Sequence, residues 1–76
     1  MEAVMVRTYA VVIEQALGNL SAYVPDLPGC IATGATEAEV VENMQAAIRL
    51  HLKGMREDGE PIPEPTTVAV RMVAAA

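Results

Sequence analysis

The sequence has no tryptophan and no phenylalanine, and its only aromatic residues are Tyr9 and Tyr23. Its core must therefore be aliphatic, built from Val, Ile, Leu, Met and Ala. Cysteine occurs once, at Cys30, and histidine once, at His51. A single cysteine excludes an internal disulfide framework, so a reducing cytoplasm is the expected compartment. One cysteine and one histidine supply no metal cluster, and no cofactor is expected. Basic residues are scarce: five Lys and Arg against ten Asp and Glu leave a net charge of −5. A protein that grips phosphates carries the opposite balance, so direct binding to DNA or RNA is not expected. The longest apolar runs, such as YAVVI at 9–13 and VAV at 68–70, are far too short to cross a bilayer. The opening Met1 to Arg7 also lacks the basic-then-apolar layout of a signal peptide.

What remains is a short and apolar chain. Seventy-six residues make a single domain, 1–76, near the size at which one core gives only marginal stability. Yet 53% of the residues are hydrophobic. A domain this small cannot hide so much apolar surface within itself. A homo-oligomer or a protein partner is the natural remedy.

The pattern along the chain is strand-like first and helical later. Val4 to Glu14 is rich in β-branched residues, with Tyr9, Val11 and Ile13 on one face and Thr8, Ala10 and Val12 on the other. QALGN at 15–19 supplies a hairpin turn, and Leu20 to Val24 make a second strand. Pro25 and Pro28 then interrupt, because proline donates no ladder hydrogen bond, and Cys30 to Thr33 form a short third strand. Thr36 with Glu39 is a capping box, in which each side chain satisfies an amide at the helix start. Val40, Val41, Met44, Ile48, Leu52 and Met55 follow as one apolar stripe at helical spacing. Asp58-Gly59 and the proline-rich EPIPEP at 60–65 end the helix. Thr67 to Val73 alternates Val68, Val70 and Met72 against Ala69 and Arg71, which predicts a fourth strand.

The expected fold is thus α+β, of β-β-β-α-β order: an antiparallel meander, then a helix crossover to a fourth strand beside the first. One helix covers one sheet face. The other face, with Thr8, Ala10, Val12 and Ala69 or their alternates, is left uncovered and calls for a partner.

No active site emerges. A nucleophilic Cys30 needs a base, and nothing in the sequence places His51 beside it, so a buried small cysteine and a half-buried helix histidine are the simpler readings. Glu37, Glu39 and Glu42 are explained by the cap and the helix dipole. Glu57, Asp58 and Glu60 are explained by solvation at the helix end, and Glu14 by a turn. Neither strand one nor strand four carries the central acid that a two-metal nuclease requires. There is no phosphate-binding glycine loop and no serine elbow. Asn43, Ala46, Ala47, Leu50 and Gly54 share a helix flank that is small except for Leu50, which makes it a candidate oligomer contact.

From Tyr9 to Thr66 the sequence resembles the HicB family of antitoxins, the UPF0150-type small domain. The resemblance rests on D-x-P-G at Asp26, Pro28 and Gly29, and on G-x-T-x-x-E at Gly34, Thr36 and Glu39. Asn43 and G-E-x-I-P-x-P from Gly59 through Pro63 to Pro65 complete the pattern. It implies a truncated ribonuclease-H-like fold without that fold's catalytic acids. It also implies a non-enzymatic protein that neutralises a HicA-like toxin, a small basic mRNA ribonuclease, and that forms homodimers or homotetramers. Many members carry a C-terminal operator-binding segment, whereas this sequence stops at VAVRMVAAA, so operator binding is not expected. The alternative is an orphan, stand-alone oligomeric regulatory or ligand-binding domain without a toxin.

Overall fold

The structure, a computed structural model, describes residues 6–76. Three strands come first, β1 (Val12–Ala16), β2 (Asn19–Tyr23) and β3 (Ile31–Gly34), followed by one long helix, α1 (Glu37–Glu57). The sheet order is β1-β2-β3, and both neighbouring pairs are antiparallel. The meander arises because each connection is short and built from tight turns. Leu17 and Gly18 alone separate the paired residues Ala16 and Asn19. Between β2 and β3, Leu27 N–H donates to the Val24 carbonyl and Cys30 N–H to the Leu27 carbonyl, each over 3.1 Å. In the second of these turns Pro28 precedes Gly29, whose φ of +85° suits the third position of a type II turn.

The helix forms where its caps place it. Thr36 Oγ1 accepts the Glu39 amide at 3.1 Å, and Glu39 Oε1 accepts the Ala35 amide at 3.3 Å. The reciprocal half of the expected capping box therefore reaches one residue further back than Thr36. At the other end, Gly59 N–H donates to the Arg56 carbonyl and Glu60 N–H to the Met55 carbonyl, the paired bonds of a Schellman stop. The inner sheet face and the helix enclose the core of Ala22, Val24, Leu27, Cys30, Val40 and Met44, with Tyr9, Val11, Ile13 and Ile48 packed around it. Of the predicted stripe, Val40 and Met44 are buried, Ile48, Leu52 and Met55 half-buried, and Val41 is exposed.

Two expectations need correction. The first strand was expected over Val4–Glu14; Val4 and Met5 lie outside the described residues, and the paired strand is Val12–Ala16. Its partner β2 has only five residues, so 6–11 runs on without a ladder partner. The fourth strand does not form: 67–73 belongs to no strand, and Val68 and Met72 are each 99% exposed. Alternation gives a segment the capacity to pair, but a strand exists only where an edge lies alongside it.

Candidate protein-binding surface

The sheet presents two unlike faces because side chains alternate along each strand. Ala22 and Gly34 face the helix and are buried. On the opposite face, register places Val12 beside Tyr23 and Tyr23 beside Ile31, a row of apolar side chains across all three strands. Ile31 is 69% exposed, and Tyr23 is exposed as well. The next row outward is polar: Glu14 opposite Ser21 and Ser21 opposite Thr33. Thr8 is exposed, Ala10 and Val12 are half-buried, and Ala69 lies off the sheet. An apolar row bordered by hydroxyls and a carboxylate suits a protein surface better than a small-molecule pocket.

The signature residues serve this architecture. Asp26 accepts from the Thr66 amide at 3.2 Å, the Thr66 hydroxyl at 2.7 Å and the Thr67 amide at 3.1 Å. These bonds, led by the Thr66 hydroxyl, hold its carboxyl below its ordinary range. Asp26 therefore latches the segment after the helix onto the β2–β3 corner. Gly34 sits where β3 meets the helix start: a Cβ there would lie 2.7 Å from the Val40 amide nitrogen and 3.0 Å from Val40 Cα. Only glycine lets the strand end approach the first turn so closely. Asn43 Nδ2 donates to the Thr33 carbonyl at 2.8 Å, tying α1 to β3. The Pro63 carbonyl accepts the Tyr9 hydroxyl at 2.6 Å, and Glu64 pairs with Arg7 at 3.0 Å. The chain after the helix is thereby held alongside the lead-in to β1. Sequence reading found Asp26 and Pro63 but not their partners, which lie 40 and 54 residues away. The one available hint was the pairing of an acid in DLPG with hydroxyls in PTT.

The helix flank borders two shallow depressions. Leu50 and Gly54 line one of about 520 Å³ with Leu27, Pro28, His51 and Glu60. Ala47 and Leu50 line another of about 320 Å³ with Cys30 and His51. Leu50 is 72% exposed, Ala46 is exposed and Ala47 half-buried. Cys30 and His51 thus border the same depression, which the sequence did not indicate. Cys30 Sγ, however, lies 3.9 Å from Met44 Sδ, and burial raises its pKa, which favours the thiol over the thiolate. Among the described residues no group of three or more His, Cys, Asp or Glu is arranged to hold a metal ion, and no helix is long and apolar enough to cross a membrane.

The comparisons with known proteins agree with this architecture. The model of the HicB_like antitoxin of bacterial toxin-antitoxin systems matches residues 9–75. An uncharacterised 14.9 kDa protein from the rep–hol intergenic region of Haemophilus phage HP1 is 39% identical over 56 residues, covering 74% of this chain and 42% of that protein. A UPF0150 protein of Thermoplasma acidophilum is 40% identical over 40 residues, covering 53% of this chain and 58% of that protein. The chain thus spans about half the length of each of these relatives. A chain in a solved HicA3 and HicB3 toxin–antitoxin complex superposes with a TM-score of 0.69 at 29% identity, covering 78% of this chain and 69% of that one. The chain belongs to the HicB-like antitoxin family of bacterial toxin–antitoxin systems.

Proposed function

We propose that this chain is a non-enzymatic, cytoplasmic antitoxin domain that neutralises a small basic HicA-type mRNA ribonuclease by covering its working surface. The observation that carries this reading is the likeness, at 29% identity, to a chain of a HicA3 and HicB3 complex. The net charge of −5 supports a basic protein partner, since opposite potentials steer association and penalise wrong partners. The uncovered row Val12–Tyr23–Ile31 offers the apolar centre that such a contact uses. The β-β-β-α order is compatible with a truncated ribonuclease-H-like domain, and on this reading its sheet serves as a platform for the partner. The test is to look for a small basic reading frame beside its gene and to co-express the two. Restored growth and a co-purifying complex are expected. A neighbour that stays toxic and unbound would remove the proposal.

The exposed apolar segment 67–73 favours a second reading, a stand-alone homo-oligomeric domain without a toxin. Under that reading the purified chain associates with itself and retains no basic protein in a pull-down.

A further inference from the structure

Gly54 stands in the interior of α1, where glycine is less stable than alanine. Packing within the chain does not require it, since a Cβ at this position would meet no atom within 4 Å. Gly54 instead borders the depression of about 520 Å³ between the later half of the helix and the β2–β3 corner. Leu27, Pro28, Leu50, Met55 and Pro63 give that depression apolar walls, and Asp58 and Glu60 are its carboxylates. No lysine or arginine lines it. Helical periodicity sends Arg49, Lys53 and Arg56 to the other side of α1. The negative end of the helix dipole lies here as well. The far wall is fixed in advance: the Pro63 carbonyl is held by the Tyr9 hydroxyl at 2.6 Å, and the Glu60 amide by the Met55 carbonyl at 2.9 Å.

We infer, resting on the reading of the chain as a binder of a basic protein, that this depression receives an arginine or lysine side chain of that partner. The aliphatic stem lies over Pro28, Leu50 and Gly54, and the cationic head meets Asp58 and Glu60. Such a side chain joins an apolar stem to a charge, and the depression offers a match for both. The missing Cβ at position 54 lets the stem approach the helix backbone. Charge selects the occupant, because two carboxylates and a helix C-terminus with no cation among them repel an acidic group. Place selects a protein as its bearer. Leu50 and His51 also border the neighbouring depression of about 320 Å³, whose wall includes Ile31, the end of the row Val12–Tyr23–Ile31. A partner covering that row therefore reaches the carboxylates without a break, across Leu50, which is 72% exposed.

The probe is N-acetyl-arginine amide, titrated into the full-length chain labelled with ¹⁵N. Saturable amide shifts are expected at Leu50, Gly54 and Glu60. The citrulline counterpart, of the same shape but uncharged, should leave them in place. Asp58→Asn with Glu60→Gln should weaken the arginine response by about tenfold or more, as for loss of a hydrogen bond to a charged group. Both positions are exposed and are bonded through their backbone amides, so helical circular dichroism should not change. Gly54→Ala should divide stability from binding, melting above wild type while taking the arginine probe less well. Shifts that fail to saturate, that citrulline reproduces, or that survive either variant would overturn the inference, as would a Gly54→Ala chain that melts below wild type. The arginine probe needs no toxin. A chain that ignores arginine yet forms a complex in co-expression would remove this site and leave the proposed function standing.

Discussion

Asp26 carries more of the fold than any other charged residue described. Its three acceptor bonds join a corner near the middle of the chain to Thr66 and Thr67. Because these bonds favour the carboxylate, its folded pKa lies below the ordinary 3.8. A carboxylate with a lowered folded pKa contributes stability that is fully present above the unfolded value and is lost as pH falls through the folded one. Asp26→Asn should therefore melt at a lower temperature than wild type at neutral pH. The gap should close as the pH drops below 3.8. Thermal melts across that range check this, and a gap that persists into acid would show that the charge is not what holds the latch. Residue identity alone marked Asp26 as part of a turn. Its partners were not legible, because no local rule connects DLPG to PTT across forty residues.

At the scale of elements, the helix was the most readable. Its cap, its stripe and its stop are local features, set by side chains within a few residues of each other. The strands were less so: β1 moved toward the hairpin and the fourth was not formed, since pairing depends on which edges the fold leaves open. The central residue of the helix–sheet contact is Met44, 1% exposed and packed among Ala22, Val40 and Cys30. Met44→Ala should destabilise the domain by about 2–5 kcal/mol, the range for emptying a filled core site. Thr36→Ala should cost only about 1 kcal/mol, since it removes one cap bond at an exposed helix end. Urea unfolding of both variants gives the comparison. Equal losses would mean that the cap contributes as much as the packing to holding the helix in place.

For the whole molecule, the deciding quantities are charge and uncovered apolar surface. Under the proposed function, a domain with net charge −5 should bind its basic partner more weakly as salt is raised, mainly through slower association. Association rates measured over a salt series test this, and a rate indifferent to salt would assign the recognition to the apolar row alone. Composition raised the expectation that so small and apolar a chain has a partner or a second copy. It did not reveal where, because a surplus of valine and methionine has no address until the fold assigns faces.

The sequence by itself determined the order of the three strands and the helix, the caps of the helix, the net acidity and the family signature, all of which are local or summed properties. Only the tertiary structure decided that Asp26 latches the chain beyond the helix, that Gly34 permits strand and helix to touch, and that 67–73 projects from its own sheet. Those outcomes depend on contacts between distant residues and on which edges remain unpaired, and neither is written in any short stretch of the chain.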